Sequence, residues 1–477
     1  MGLVTPVAPV PLAELGRVHF AGIGGAGMSG IARIMLARGV PVSGSDSAWS
    51  AQLDELAALG ARVHVGHAAA NLGDADTLVV STAIRPGNPE LARARSRGIK
   101  IMHRAAALAS VMLGRQGIAV AGTHGKTTTT GMLTTVLRWC GADPSYMVGG
   151  ILAETGVGAH EGSGTSFVAE ADESDGSFLM LAPQAAVVTC IEADHLDNYA
   201  DLGQIEAAFA AFAAKIEPGG LLVSCADDPG ARALAAAAAG LPVRLRGYGE
   251  SAAAGYRLTG VTPRGMATRL TVTSQAPAGG GPGQVTIDIA VPGRHNALNA
   301  TAAFATAVEL GYPADQVAAG LAAYRGAHRR LELKGEADGV RVLDSYAHHP
   351  TELAADLDAA REVAGGGRLI TVFQPHLYSR TRIFAAQFGA ALGRSDEALI
   401  LDVYAAREDP EPGVTGMLVA AAVPGGGARF LPDRAEVPAA VAATAKPGDI
   451  VLTMGAGDVT ALGPLILAEL ARRGGAG

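Results

Sequence analysis

The sequence predicts an α/β fold built as three domains, and three observations carry that prediction. The chain has 477 residues, which at a prior of about 150 per domain leaves room for three cores. Apolar residues make up 49% and charged residues 17%, a balance suited to packed cores rather than to a disordered chain. Short apolar runs of strand type alternate with helical patterns along nearly the whole length, as doubly wound parallel sheets require.

The first of these alternations is the run 17–23, which enters Gly22-Ile-Gly-Gly-Ala-Gly-Met-Ser-Gly30 and then the helical spacing of Ile31, Ile34, Met35 and Ala37. A second strand, 40–44, ends at Ser45-Asp46, and a third run, 77–81, ends in a loop before Asn88-Pro-Glu90. A new unit opens with the run 117–121, then Gly122-Thr-His-Gly-Lys-Thr127, then a helix whose apolar positions are Met132, Leu133, Val136 and Leu137. The four threonines 127–130 are poor helix formers and read as cap-like. Runs 167–171 and 185–191 are buried strands, each leading into acidic or histidine side chains. The alternation of Leu258, Val261, Leu270, Val272, Val285, Ile287 and Ile289 predicts antiparallel hairpins joined by a Gly/Pro-rich turn at 276–283. Helices follow at 296–310 and 315–324. After a boundary near residue 330, strands at 340–343, 369–373, 398–401 and 450–453 repeat the doubly wound theme.

Charge and cysteine usage exclude several classes. Thirty-seven basic side chains against forty-five acidic ones leave −8, the wrong sign for sequence-blind phosphate-backbone binding, and aromatics at 4% argue against a stacking platform. No nucleic-acid partner is expected. Cys140, Cys190 and Cys225 form no C-x-x-C pair and no even framework, which indicates a reducing compartment. The segment 1–15 lacks a basic n-region and is broken by prolines, and no run of about 18 apolar residues occurs. The expectation is a soluble cytoplasmic protein with no membrane span.

Two loops and two strand ends carry chemistry. The glycine turn 22–30 allows close backbone approach to a diphosphate at a helix start, with Asp46 placed for a ribose; read alone, it fits a nicotinamide or flavin cofactor, another nucleotide diphosphate, or only a turn. In Gly122-Thr-His-Gly-Lys-Thr127 a lysine at a helix start can neutralise β/γ-phosphate charge while a threonine hydroxyl reaches Mg2+, although Val120 stands where the full Walker spacing has glycine. Glu170-Ala-Asp-Glu-Ser-Asp175 crowds four carboxylates at a strand end, where a cation relieves their repulsion; the bland alternative is a solvated acidic loop. Asp194-His-Leu-Asp197 ends the next strand, so that His195 and Glu173 face the phosphate loop and admit a second cation. His348, His349 and His376 cluster with Tyr346 and Arg380 around strand ends of the last domain, as site or structural residues.

Together with Glu192-Ala-Asp-His-Leu-Asp197, Gly293-Arg-His-Asn296, His348-His-Pro-Thr-Glu352 and Gly455-Ala-Gly-Asp458, these segments resemble the Mur ligases, ATP-dependent enzymes that build the peptide stem of peptidoglycan precursors. The segments run in order over nearly the whole chain. The resemblance implies a Rossmann-like UDP-N-acetylmuramate-binding domain at 1–115, a P-loop-like central ATPase domain with some antiparallel sheet at 116–330, and a Rossmann-like amino-acid-binding domain at 331–477. Within the family the resemblance implies the activity that joins L-alanine to the lactyl carboxylate of UDP-N-acetylmuramate through an acyl phosphate, releasing ADP and phosphate.

Carried over by position, the resemblance gives Gly22, Gly24, Gly25, Gly27, Met28, Ser29, Ser45, Asp46, His67, Ser81 and Thr82 to the UDP-sugar. It gives Gly122, Thr123, His124, Gly125, Lys126, Thr127, Thr128, Asn296, Asn299, Arg329 and Asp344 to ATP. Thr127, Glu173 and His195 hold two Mg2+ ions, for which Mn2+ can substitute, and Tyr346, His348, His376 and Arg380 capture the amino acid. Lys126, Glu173, His195, His348 and His376 are the catalytic set, the last two as bases for the amine. A monomer or weak homodimer is expected. The sequence departs from the family pattern at Leu377, where arginine is common, at Ser345, where a second aspartate is usual, and at Ala405, often proline; Lys215 is a poorly placed counterpart of the modified lysine of sister ligases. A ligase that attaches a ready-made peptide to the same UDP-sugar is the alternative within the class. Outside it stand a nicotinamide-dependent oxidoreductase and a nucleotide-regulated scaffold.

Overall fold

In the computed structural model, which describes residues 3–196, 198–274, 283–406 and 408–475, three sheets organise the chain. The first holds β1 (Val18–Ala21), β2 (Val42–Asp46), β3 (Arg62–Val65), β4 (Thr77–Val80) and β5 (Lys100–His103) in the order β3-β2-β1-β4-β5, all parallel. Strand order reverses between β1 and β4, so the glycine turn after β1 and the Ser81-Thr82 turn after β4 flank the switch point, where open parallel sheets leave a crevice. β3 and β5 escaped the sequence reading because four-residue edge strands without an alternating burial pattern give little periodic signal.

The second sheet runs β15-β14-β13-β12-β11-β10-β6-β9-β7-β8. Its strands are β6 (Gln116–Ala121), β7 (Ser145–Met147), β8 (Ala159–His160), β9 (Ser166–Glu170), β10 (Ala185–Val188), β11 (Leu221–Cys225), β12 (Arg244–Gly249), β13 (Tyr256–Arg264), β14 (Ala267–Ser274) and β15 (Gly283–Ile289). From β12 to β7 the pairing is parallel, with β8 antiparallel on β7. β13 and β14 are joined by only Gly265-Met266, with Gly265 at φ +64°, a connection that only antiparallel neighbours permit. The cross-strand pairs Arg269–Asp288 and Thr271–Thr286 step in opposite directions along β14 and β15, as antiparallel strands do. The expected hairpins are present; most of the Gly/Pro-rich turn, 275–282, lies outside the described residues, as does Asp197.

The third sheet, β16-β17-β21-β18-β19-β20, comprises β16 (Glu332–Ala337), β17 (Val340–Ser345), β18 (Leu369–Phe373), β19 (Glu397–Ile400), β20 (Ala428–Phe430) and β21 (Ile450–Met454). Only β16 is antiparallel. Every residue of β18 and β21 is buried. Apolar clusters cover both faces, one around Phe373, Phe388 and Leu452, the other around Val372, Val451 and Ile466, which is the near-continuous hydrophobicity that a sheet covered by helices needs. Contacts divide the chain into two compact units, Met1–Leu258 with Val272–Val285 and Asn299–Tyr324, and Thr259–Thr271 with Thr286–Leu298 and Arg325–Gly477. No helix among the described residues is long and apolar enough to cross a membrane.

One local expectation fails. The threonines 127–130 do not cap; they lie inside the helix Lys126–Trp139, whose N-cap is Gly125, and all four are buried. Burial and hydrogen bonds, Thr130 Oγ1 to the Lys126 carbonyl at 2.8 Å and Thr129 Oγ1 to Asn299 Oδ1 at 3.2 Å, outweigh their weak helix propensity.

Within the first unit, Glu161 ties three segments together. It takes two guanidinium bonds from Arg38 at 2.8 and 2.9 Å, one from Arg115 at 2.7 Å and the Ser145 hydroxyl at 2.9 Å. Burial pushes its carboxyl up, and the Arg38 and Ser145 hydrogen bonds outweigh it, holding the group below the usual carboxylate value. Glu161→Gln leaves two part-buried arginines short of charge and is expected to cost about 3 kcal/mol at neutral pH. Because the native value is depressed, this stabilisation is full above the ordinary carboxylate range and fades as pH falls through the native value. Denaturant melts should therefore show the gap between variant and wild type closing toward acid pH.

Candidate active site

The loop between β6 and the helix Lys126–Trp139 is laced to the end of β10. The Thr123 amide donates to the Cys190 carbonyl at 2.9 Å, the Glu192 amide to Thr123 Oγ1 at 2.9 Å, and Thr189 Oγ1 to the His124 carbonyl. Two glycines make this closeness possible. Gly122, at φ +129°, leaves no space for a Cβ, which would meet Thr189 Oγ1 at 2.0 Å; Gly125, at φ +80°, would bring one to 2.5 Å from Asn299 Oδ1. The helix thus starts at Gly125 with no side-chain cap, and a helix N-terminus attracts anions.

Lys126 stands at that start. Its Nζ donates to the Gly122 and Thr123 carbonyls at 2.6 and 3.1 Å and lies 3.0 and 2.9 Å from the two carboxylate oxygens of Glu173. Glu173 is 2% exposed. The acidic run after β9 therefore turns inward rather than into solvent, against its bland reading. Thr127 Oγ1 donates to Glu170 Oε1 at 3.2 Å, and the Asp175 Oδ2 atom is buried without a hydrogen bond. His195, with Nε2 3.9 Å from Glu173 Oε1 and 3.5 Å from Asp194 Oδ2, completes the cluster. Lys215, by contrast, is exposed beyond the helix Leu202–Ala213 and takes no part.

The charges shift one another. Burial works against the Lys126 ammonium, but Glu173, Asp172 and Glu170 raise its pKa further. Asp172 is held well below the usual range despite burial, by Arg104 and Lys126. Burial lifts Glu173 above its ordinary value even beside Lys126 and His195. Such a set of hard oxygens with one imidazole suits a divalent cation next to an anion.

At the first sheet, the Gly22 and Ile23 amides donate to the Ser45 carbonyl at 2.8 and 2.9 Å, and Gly24 donates to Asp46 Oδ2 at 2.9 Å. Asp46 braces the turn itself. Ser45 Oγ contacts His67 Nδ1 at 2.9 Å. Met28 is buried in the core, Ser29 Oγ donates to the Ala26 carbonyl at 3.1 Å, and Ser81 and Thr82 occupy the turn after β4.

In the second unit, Arg329 pairs with Asp344 at 3.3 Å and reaches the Gly455 carbonyl, while Thr453 and Thr460 hydroxyls donate to Asp344, each at 2.7 Å. Arg329 and Arg330 lie over the Tyr346 ring at 4.9 and 5.5 Å. Rings then follow in series, Tyr346 to His348 at 5.4 Å, His348 to His376 at 6.1 Å and His376 stacked on Tyr404 at 5.8 Å. Arg380 is buried in the first turn of the helix Tyr378–Leu392. His349 caps the helix Pro350–Ala364, a structural use. The Asn296 side-chain amide donates to the Pro292 carbonyl at 2.7 Å.

Two departures acquire reasons. Leu377 is 3% exposed, at φ +68°, with its amide on the Tyr404 carbonyl at 3.0 Å, so its side chain fills the interior. Ser345 donates to Asp356, which His295 approaches at 3.4 Å. Burial raises the Asp356 carboxyl, and a serine spares it a second buried carboxylate. Nothing in the structure explains Ala405.

Sequence reasoning missed Arg104. Its Nη2 donates to Asp172 Oδ2 at 2.6 Å, and a Cβ on Gly27 would meet its Nη1 at 3.4 Å, so it joins the glycine turn to the acidic loop. A lone basic residue at a helix start gives no sequence signal.

Against known families, three models match in chain order: Mur ligase family, catalytic domain at 17–116, Mur ligase middle domain at 120–307, and Mur ligase, glutamate ligase domain at 329–457. The chain belongs to the Mur ligase family. This Mur ligase is 55% identical to the UDP-N-acetylmuramate–L-alanine ligase of Thermobifida fusca, over 98% of its own length and 100% of the relative's. It is 57% identical to that of Kineococcus radiotolerans, over 97% and 98%. The crystal structure of UDP-N-acetylmuramate-alanine ligase MurC from Thermotoga maritima superimposes with a TM-score of 0.80 at 28% identity, covering 97% of this Mur ligase and 100% of that chain. The three-domain α/β fold expected from sequence is that of the family.

Lys126 and Glu173 form a buried pair in this Mur ligase, and removing one partner strands the other. Lys126→Met is expected to destabilise the protein by about 3 kcal/mol, and Lys126→Met with Glu173→Gln to recover most of that loss in a double-mutant cycle of denaturant melts. Additive losses would show the pair to be uncoupled.

Proposed function

We propose that this Mur ligase joins L-alanine to the lactyl carboxylate of UDP-N-acetylmuramate, converting ATP to ADP and phosphate. One observation carries the reading: an ammonium at a helix start, Lys126, in contact with a buried carboxylate, Glu173, from the next strand end. The domain limits 1–115, 116–330 and 331–477 belong to the same proposal, as do action in the cytoplasm and a monomer or weak homodimer.

The chemistry follows from what a carboxylate lacks. It is a poor electrophile with a poor leaving group, and phosphorylation remedies both deficiencies. The muramyl carboxylate oxygen attacks the γ-phosphorus of ATP, ADP leaves, and the resulting acyl phosphate is attacked by the alanine amine; the tetrahedral adduct expels phosphate and closes the amide. Lys126 and the helix start at Gly125 hold the β/γ-phosphates in line. The residues fit Mg2+ or Mn2+: Thr127, Glu173 and His195 would hold two such ions, and Glu173 Oε2 is buried with no hydrogen bond beyond the ion pair with Lys126. When bound, these cations offset charge on the transferring phosphoryl group.

The remaining roles fall to the other candidates. Gly22, Gly24, Gly25 and Gly27 shape the turn over which the UDP diphosphate lies, with Ser45, His67, Ser81 and Thr82 around the nucleotide. Asn296, Asn299, Arg329 and Asp344 hold adenosine and phosphate. Arg380 takes the alanine carboxylate in a two-point fork, Tyr346 lines the pocket, and His348 or His376 removes the proton that the alanine ammonium must lose to attack.

The test mixes protein, MgATP and UDP-N-acetylmuramate with single amino acids or with a tripeptide, and follows phosphate release alongside product mass. Phosphate matched by UDP-N-acetylmuramoyl-L-alanine is the expected result. A tripeptide preference would make the enzyme the recycling ligase, and phosphate release without a new amide would exclude a ligase.

A further inference from the structure

The Asn88-Pro-Glu90 stretch, which the proposed chemistry leaves unused, carries one more inference. Asn88 caps the helix Pro89–Ser96 by accepting from the Glu90 and Leu91 amides. A first-turn glutamate ordinarily sits in solvent, where it complements the helix dipole. Glu90 instead is fully buried. Its Oε2 lies 2.7 Å from Ser45 Oγ, 3.5 Å from His67 Nδ1 and 3.6 Å from His19 Nε2. Its Oε1 accepts from Asn71 Nδ2 at 2.9 Å and from the Ala68 amide at 3.3 Å. Burial pushes the Glu90 carboxyl up, and the nearby His19 ring with the hydrogen bonds from Ser45 and Asn71 outweighs it, holding the group at about 2.

Donor counting then runs in one direction. An ionised carboxylate only accepts, so the contact with Ser45 uses the single hydroxyl proton. Ser45 Oγ also lies 2.9 Å from His67 Nδ1, and with its proton committed it must accept there. The hydrogen is therefore on Nδ1, and in the neutral imidazole Nε2 is the acceptor. The Ser45 carbonyl meanwhile accepts the Gly22 and Ile23 amides at 2.8 and 2.9 Å. One serine thus couples the glycine turn, by its backbone, to His67, by its side chain.

We propose that Glu90 is a positioning residue for the nucleotide end of the UDP-sugar: by taking the Ser45 hydroxyl proton it fixes the Nδ1–H form of His67, whose Nε2 then accepts the imide N–H of uracil. The proposal rests on reading this sheet edge as the UDP-sugar site. It gives the base choice a physical cause, because cytosine carries a lone pair at that ring nitrogen and two acceptors would face each other.

The experiment uses full-length protein with ¹⁵N-labelled histidine, titrated with UDP, beside steady-state kinetics of Glu90→Gln and Ser45→Ala. In the wild type, His67 should show a protonated Nδ1 and an unprotonated Nε2 whose signal moves on adding UDP. In Glu90→Gln the new side-chain amide is able to donate to Ser45, freeing the hydroxyl to donate to His67, so the ring should gain the Nε2–H form. In both variants KM for UDP-N-acetylmuramate should rise about tenfold, with kcat and the ATP KM within about twofold of wild type. A wild-type ring found as Nε2–H that still responds to UDP overturns this proposal alone. A folded Glu90→Gln with unchanged ring state and KM does the same. His67 signals that ignore UDP overturn the site reading as well.

Discussion

A buried ammonium cannot stand without compensating charge, and the fold of the middle sheet is arranged around that constraint at Lys126. Three strand ends converge to meet it. β6 delivers the glycine loop and the lysine, β9 delivers Glu170 to Glu173, and β10 delivers Thr189 to His195. The Gly122 and Gly125 conformations let these ends approach, and the buried threonines after Lys126 hold its helix against Asn299. A parallel sheet is the economical way to bring residues 47 positions apart to one place, since all its carboxyl ends lie on one edge.

The candidate positions show the strain that such convergence produces. His195, Arg329 and Leu377 are non-glycine residues with φ of +53°, +62° and +68°, a conformation costing about 1–3 kcal/mol each and kept where surroundings over-determine it. Each stands at a strand end or helix start beside ionisable or aromatic groups. At Leu377 the strain accompanies an apolar side chain turned inward where the family commonly has arginine.

Much of this was legible in the sequence, because glycine-rich turns after apolar runs and charged clusters at strand ends are local signals. The Gly22 and Gly122 turns, the acidic run after β9 and the histidines of the last sheet could be placed on strand ends from pattern alone. What was hidden is what depends on tertiary burial. Thr127 to Thr130 read as cap-like, yet packing places them inside the helix. Arg104 and Glu90 carry no local signal of a role, yet one joins two loops and the other is fully buried against Ser45. The brace that Asp46 gives the glycine turn through the Gly24 amide was equally hidden. β3 and β5 are too short and too exposed at the sheet edges to show a period.

The central claim is that Lys126 and Glu173 share one site for a triphosphate and its metal, with Glu173 on the metal. The most direct measurement is calorimetric affinity for a hydrolysis-resistant ATP analogue, with and without Mg2+, in wild type and in Glu173→Ala. The account requires Mg2+ to tighten wild-type binding by about tenfold or more, and that gain to vanish in the variant. An undiminished Mg2+ effect in Glu173→Ala would contradict it.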